Sequence, residues 1–281
     1  MYEIISKREL APKIKLFEVA APEIAAKAHP GQFIIVIVHE KGERIPLNLV
    51  GYDKTKGTIM FAVSEVGKTT KQLGLMKEGE CILAVDGPLG NPSEIKNFGR
   101  VLCVAGGVMI APMLLQVKAL REAGNVVDVV IGARRKNLLF FEEELKVLSN
   151  KFYVATDDGS KGHTGLGFLK DVLGKDKFDR CVVLGPLAMT REICEITKPF
   201  GVPTIVTLMP VMVDGNGMCG VCRVKIGNET KFACVDGPEF DGHCVDFDEL
   251  IQRQMMFLSE ERTSSLLWEK IKGGGCGCGR K

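Results

Sequence analysis

The sequence carries little surplus charge. Its 37 Lys and Arg stand against 35 Asp and Glu, a net of +2, and no basic block is interleaved with aromatic residues. That balance gives no general attraction to a polyanion, so nucleic acid is not an expected partner. Long hydrophobic runs are also missing. The longest uncharged stretch, Val101 to Val117, is interrupted by Gly106, Gly107 and Pro112; it falls short of the ~20 apolar residues that a membrane helix needs. No membrane association is expected. The opening segment, Met1-Tyr2-Glu3-Ile4-Ile5-Ser6-Lys7-Arg8, has no charged region leading into an apolar core, so no secretory signal is expected either. These absences point to the cytoplasm, where disulfides are rare. In that compartment ten cysteines argue for metal or redox work.

What is present suits a soluble protein with a real core: 281 residues, 46% hydrophobic and 26% charged. That length accommodates two domains, or one plus an appended module. Residues 1–97 read as strands separated by turns. Gln32 to His39 is largely β-branched and apolar and follows Pro30-Gly31. Thr58 to Ser64 and Glu80 to Val85 are similar, the latter running into Asp86-Gly87-Pro88-Leu89-Gly90-Asn91-Pro92. Short strands at this spacing predict a small antiparallel β-barrel.

From residue 98 to 210 the rhythm changes. Strands at Val101–Val104, Val126–Ile131, Phe152–Ala155, Cys181–Leu184 and Thr204–Leu208 alternate with helices ending at Glu122 and over 138–148, 165–173 and 187–197. Such alternation predicts a central α/β parallel-sheet nucleotide-binding domain, with ligands beyond the carboxyl ends of the strands. Gly106-Gly107 would let backbone N–H groups meet a pyrophosphate, though a tight strand-to-helix turn explains the pair equally well. Thr156-Asp157-Asp158-Gly159 and Gly185-Pro186 sit at two further strand ends. His163 shares a loop with the first of these and reads as an ordinary exposed histidine. Arg134 and Arg135 follow the second strand, where they could meet a 2′-phosphate or form a solvated basic turn.

Residues 211–281 hold the densest chemistry. Asp214-Gly-Asn-Gly-Met-Cys219-Gly-Val-Cys222, closed by Cys234, has the spacing D-x4-C-x2-C-x11-C. Plant-type [2Fe–2S] proteins use C-x4-C-x2-C with a distant fourth cysteine, so the spacing is kept with a carboxylate at the first position. A structural zinc site built from Cys219, Cys222, Cys234 and Cys244 is the alternative, and Cys244 also competes with Asp214 as the fourth cluster ligand. Val245 to Lys272 reads as helical, with Leu250, Met255, Phe257, Leu258, Leu266, Leu267, Trp268 and Ile271 available for packing. The tail Gly273-Gly-Gly-Cys276-Gly-Cys278-Gly-Arg-Lys is expected to be flexible.

The order barrel, nucleotide domain, cluster loop resembles the ferredoxin–NADP reductase superfamily, in the branch of the dihydroorotate dehydrogenase electron-transfer subunits. Within that branch the chain is similar to the small (alpha) subunits of NADH-dependent ferredoxin:NADP oxidoreductases, also called sulfide dehydrogenase beta subunits. Arg44-Ile-Pro46-Leu47-Asn48 resembles the flavin motif whose arginine meets the FAD phosphates, with Asn48 where Thr or Ser is usual. Gly67-Lys68-Thr69-Thr70 resembles the segment that closes on the same pyrophosphate. Gly106-Gly107 to Pro112, with Met109 in place of a glycine, and Gly185-Pro186 resemble nicotinamide-nucleotide loops. Asp214, Cys219, Cys222 and Cys234 match a cluster held by one aspartate and three cysteines, and Cys244 replaces an apolar residue.

The resemblance implies an α+β multidomain oxidoreductase subunit carrying FAD, a [2Fe–2S] cluster and NAD(H). Arg44 and Thr69 would anchor FAD, and Gly106 and Gly107 would admit NAD(H). It further implies a heterodimer with a larger flavin and iron–sulfur subunit, through which ferredoxin and NADP are reached by electron bifurcation. A dihydroorotate dehydrogenase electron-transfer subunit and a non-redox zinc module are the alternative expectations.

Overall fold

A computed structural model describes residues 1–273. The N-terminal part comprises β1 (Tyr2–Ala11), β2 (Ile14–Ala20), α1 (Pro22–Lys27), β3 (Phe33–Ile37), β4 (Arg44–Asp53), β5 (Thr58–Ser64), α2 (Lys68–Leu75), β6 (Cys81–Ile82) and β7 (Ala84–Leu89). Its seven strands form one antiparallel sheet in the order β6-β1-β2-β5-β4-β3-β7. The two edge strands are consecutive in the chain and separated by Leu83 alone. The sheet therefore curls until its edges nearly meet, the expected barrel. Phe17 and Phe61, stacked at 5.5 Å, fill its interior with Ile4, Ile34, Leu49 and Ile82. The expected strand over residues 80–85 is instead split between β6 and β7 where the chain changes edge.

One feature of β4 bears on the site. It pairs with β3 along Arg44–Asn48 but with β5 only along Leu49–Asp53. The first half therefore has an open edge, where Pro46, which lacks an N–H, leaves no ladder bond unmade.

The central part comprises β8 (Arg100–Gly106), α3 (Ile110–Glu122), β9 (Val126–Ala133), α4 (Glu142–Leu148), β10 (Lys151–Thr156), β11 (His163–Thr164), α5 (Leu169–Lys175), β12 (Arg180–Leu184), α6 (Leu187–Thr197) and β13 (Thr204–Thr207). The C-terminal part adds β14 (Arg223–Ile226), β15 (Glu229–Phe232), β16 (Glu239–Asp241), α7 (Phe247–Gln254) and α8 (Leu258–Gly273). The sheet order is β11-β10-β9-β8-β12-β13-β16. Val101 to Ala105 on β8 are fully buried, as a strand covered on both faces requires. The chain winds one way from β8 to β9 and the other way to β12, so the switch point of the sheet lies at the carboxyl end of β8. The sheet is parallel except at its last strand: β16 comes from beyond residue 210 and pairs antiparallel with β13.

The C-terminal part is fused to the rest by a shared core. Cys222, Val224, Phe240, Phe247 and Leu250 pack into the same apolar cluster as Phe33 and Ile35 of the barrel and Val104 and Val183 of the sheet. The expected single helix over 245–272 is interrupted at Met255–Phe257. The first segment, α7, follows Asp246, whose carboxylate accepts the Glu249 N–H at 3.0 Å, and buries Phe247 and Leu250. The second, α8, returns to the barrel, where Lys71 donates to Ser265 at 2.9 Å and pairs with Glu269 at 2.5 Å. Of the residues expected to pack, Leu250 is buried, whereas Met255, Phe257, Leu258, Leu266 and Leu267 are exposed. Helical periodicity did not foresee this, because polar bonds rather than an apolar face seat α8. Cys276 and Cys278 lie outside the described residues. Among the described residues no helix is long and apolar enough to cross a membrane.

A buried polar junction ties the three parts together. Glu239 accepts the Ser93 hydroxyl at 2.6 Å and the Gln116 amide at 2.7 Å, and Gln116 also reaches Ser93 Oγ at 3.0 Å. Burial raises the Glu239 carboxyl above its ordinary value, only partly offset by these donors. A carboxyl raised in the folded state gives its full stability below the unfolded pKa, about 4.3, and loses it as pH rises through the folded value. A glutamine oxygen can accept the same two bonds without charge. Glu239→Gln is therefore expected to raise Tm by a few degrees at pH 8 and to match wild type at pH 4. An unchanged or lower Tm at pH 8 would refute the assignment.

Candidate functional site

Two apposed sites follow from this architecture. The first lies between barrel and sheet. A cavity of about 230 Å³ is lined by Pro46, Leu47, Asn48 and Ala62 of the barrel, by Val108 and Met109 of the turn after β8, by Pro112 of α3, and by Met209. The Asn48 amide donates to Met109 Sδ at 3.3 Å across it. Every lining residue is apolar or neutral, as suits a flat aromatic ring system with few polar anchors.

At one side of this cavity stands the Gly106-Gly107 turn, which leads into the lining residues Val108 and Met109. Gly107 has φ +60, and a Cβ there would meet nothing within 4 Å. Gly106 and Gly185, from β8 and the end of β12, both lie against Met189; a Cβ on either would come within 2.4 or 2.1 Å of its thioether end. Pro186 precedes α6, and the Thr190 hydroxyl fastens this turn by donating to the Gly185 and Pro186 carbonyls at 3.3 and 3.1 Å. The two glycine turns expected to admit a nucleotide thus come together at the switch point. Asp157 stands two strands from β8 in the sheet; its backbone N–H donates to Ala133 at 3.1 Å and its side chain is exposed.

The start of β4, which leads into the lining residues Pro46 to Asn48, is held to the start of α2. Thr69 donates to Glu43 at 2.6 Å, which sets the α2 N-terminus beside Arg44. Thr70 Oγ1 accepts the Gly67 N–H at 3.0 Å. Both hydroxyls are thus engaged within the protein, so the donors left for a phosphate are the first-turn N–H groups, beginning with Lys68, and the Arg44 guanidinium. That set is cationic and donor-only, as a pyrophosphate requires. His163 stacks on Phe168 at 3.8 Å and 6°, a packing role. Arg134 and Arg135 are exposed, and the Asp158 carboxyl is held low first by Ser160 and further by the Arg135 charge.

The second site is the cysteine loop. The β14–β15 hairpin pairs Arg223 with Phe232 and turns through Gly227-Asn228, with Gly227 at φ +58 in the glycine-first position of a two-residue turn. The hairpin brings Cys222 beside Cys234, with sulfurs 3.2 Å apart, and the Ala233 N–H donates to the Cys222 carbonyl at 3.1 Å. This hairpin is the physical content of the x11 spacing. Burial and then the Cys222 sulfur push the Cys234 thiol up to about 12, while the Gly217 N–H donates to it and the Cys219 sulfur faces it. Gly215 has φ +75, and a Cβ there would lie 2.8 Å from Ile35 and 2.9 Å from Leu89, so the loop is seated on the barrel. Among the described residues no three Cys, His, Asp or Glu side chains are drawn together as a metal site; the structure brings two sulfurs together, with a backbone N–H aimed at one of them, and in their chemistry these donors suit a thiolate-bound cluster. Cys244 is elsewhere: its thiol faces Asp241 at 3.6 Å, and its charged neighbours are Asp241 and Lys198. Its neighbours thus differ from those of Cys222 and Cys234, which face each other.

Residues 210–246 match the family model of the iron–sulfur cluster binding domain of dihydroorotate dehydrogenase B. Over 275 residues the chain is 47% identical to the dihydroorotate dehydrogenase B (NAD(+)) electron transfer subunit homolog of Thermotoga maritima, covering 96% of each chain. The chain belongs to this electron-transfer subunit family. A second relative of this chain, the "uncharacterized protein in adh 3'region" of Clostridium beijerinckii, is 47% identical to it over 99% of each chain. A solved structure described as that of NADH-dependent reduced ferredoxin-NADP oxidoreductase, in a study of flavin-based electron bifurcation, shares 44% identity. It superposes with a TM-score of 0.89 over 96% of this chain and 98% of that one. As a dihydroorotate dehydrogenase B-type electron-transfer subunit, the protein is an oxidoreductase component with an iron–sulfur module, and the zinc alternative gives way.

Two features of the site were not foreseen. Met189 fills the cradle between Gly106 and Gly185, and Glu43 holds the α2 N-terminus. Neither belongs to a motif.

Proposed function

We propose that the chain is the small subunit of an electron-bifurcating, NADH-dependent ferredoxin:NADP oxidoreductase-type complex. The carrying observation is Asp214 in register ahead of Cys219, Cys222 and Cys234, on a loop seated against the flavin-motif barrel. The likeness to the solved oxidoreductase, at 44% identity, supports the same reading. Arg44, the Lys68–Thr70 turn and Pro46-Leu47-Asn48 hold FAD, Gly106, Gly107, Gly185 and Pro186 hold NAD(H), and Asp214 with the three cysteines holds the [2Fe–2S] cluster.

When bound, these groups supply hydride exchange at the nicotinamide, conversion between paired and single electrons at the flavin, and one-electron relay at the cluster. The protein's part is placement. Leu47, Val108, Met109 and Met209 give the cavity an apolar lining, and no titratable side chain lines it, in keeping with a reaction that needs no protein acid or base. If a 2′-phosphate were to approach Arg135, it would meet the Asp158 carboxylate near that arginine, and this like charge favours NAD(H) over NADP(H).

A larger flavin and iron–sulfur subunit completes the complex in the cytoplasm, and ferredoxin and NADP are reached through it. The isolated chain, loaded with FAD and cluster, is expected to reduce artificial acceptors with NADH, preferring it to NADPH by about tenfold, or ~1.4 kcal/mol. It is expected to show no ferredoxin-dependent NADP reduction until the larger subunit is added. Full coupled activity without a partner would overturn the reading. The relative's name favours a second one, electron transfer for dihydroorotate oxidation. NAD reduction that depends on dihydroorotate and on a dihydroorotate dehydrogenase catalytic subunit would select it.

A further inference from the structure

The flavin-motif arginine is bonded to the cluster loop. Arg44 opens β4, and its Nε donates to the Val213 carbonyl at 2.8 Å. Its Nη2 donates to Asp86 Oδ2 at 2.6 Å and reaches the Asp214 carbonyl at 3.5 Å. A guanidinium carries five N–H donors in a fixed plane. These contacts use the Nε and Nη2 edge, and among the described residues no acceptor faces Nη1. One side chain can therefore serve the loop and a phosphate together.

The contacts fall where they matter. Val213 and Asp214 are the two residues that enter the first ligand position. On its far side, Gly215 is fixed against Ile35 and Leu89, where even a Cβ would sit 2.8 Å from a side-chain atom. Asp214 is thus clamped before and after. Cys222 and Cys234 are set by their own hairpin, but nothing comparable within the loop orders Asp214: Asn216 bonds only forward, to the Met218 N–H at 3.2 Å. The clamp comes from the barrel.

We infer that Arg44 is a positioning residue for the cluster, holding the Asp214 backbone in place for ligation. This rests on the proposed reading of Asp214 as a ligand. Because the two edges of one rigid guanidinium face two sites, phosphate binding on the Nη1 edge and order in the loop reinforce each other reciprocally. Lysine cannot reproduce this, since a single ammonium does not span both carbonyls and Asp86 in one plane.

The test uses the full chain, stripped of FAD and reconstituted with iron and sulfide, so that any flavin role of Arg44 is silent. Iron loss to a chelator and the electron paramagnetic resonance spectrum of the dithionite-reduced cluster are compared for wild type, R44K and R44Q. Removing a partner that orients a metal ligand costs about tenfold or more. R44Q is therefore expected to lose iron about tenfold faster and to show shifted g-values, with R44K intermediate. R44K keeps the charge toward Asp86 and carries the test, with its intermediate loss of iron, if R44Q does not fold. Wild-type iron loss and g-values in the variants, with FAD affinity alone reduced, would overturn the inference and leave the proposed function standing. A wild-type chain that takes up no cluster would overturn both.

Discussion

Cys222→Ala and Cys234→Ala are each expected to leave the protein almost free of iron while the barrel and the parallel sheet remain folded. Their sulfurs lie 3.2 Å apart and both side chains are nearly inaccessible, 2% and 3% exposed. Loss of an outer partner already costs roughly 10- to 100-fold in metal affinity, so loss of a ligand should cost at least the upper figure. The alanine leaves only a small void, and its cost in stability should stay near that of one lost buried group, about 1 kcal/mol. Cys244→Ser serves as the contrast. Its thiol faces Asp241 at 3.6 Å, and its loss should leave iron content unchanged. Asp214→Ala should weaken cluster retention, whereas Asp214→Cys should keep a cluster with an altered potential, because a thiolate replaces a harder oxygen donor. Iron and sulfide content with the visible spectrum decides these cases. A Cys222→Ala protein with the wild-type spectrum would strike that residue from the ligand set.

The pairing of Cys222 with Cys234 was legible in the sequence because its geometry is local. Eleven residues between Cys222 and Cys234 are what a short hairpin with a Gly-Asn turn occupies, so spacing alone implied proximity. The glycine turns at 106–107 and 185–186 were legible for a related reason: an alternating strand-helix rhythm sends every strand end to the same edge of the sheet. The Arg44 contacts with the cluster loop were not legible, since they join residues 169 and 170 positions apart, and no periodicity reports a bond from a side chain to a distant carbonyl. Glu239 was hidden in the same way, 146 positions from Ser93. The break between α7 and α8 carries no glycine or proline; the helix turns there because its second half answers Lys71 on the barrel. Local pattern thus identified the parts, while their joints were set by long-range polar pairs.

Gly107→Val is expected to slow flavin reduction by NADH about 100-fold, the loss that a displacement of roughly 1 Å at a reacting pair can cause. The position is a clean probe because its two constraints separate. A Cβ at Gly107 would meet nothing within 4 Å, so the fold has room for it, and the φ of +60 adds only a local penalty of about 1–2 kcal/mol. The open space lies at the switch point, where, on the proposed reading, a pyrophosphate approaches the backbone and the start of α3 closely. A branched side chain there intrudes on the ligand without touching the core. Gly106 and Gly185 would be poorer probes, since a side chain at either first displaces Met189 and mixes repacking with exclusion. In the Gly107→Val protein the dithionite-reduced cluster should keep its wild-type spectrum, and FAD should remain bound, because beyond its chain neighbours that Cβ would meet no residue within 4 Å. Unimpaired reduction by NADH, with flavin and cluster intact, would mean that the nucleotide does not enter over this turn, and Gly106-Gly107 would revert to an ordinary strand-to-helix connection.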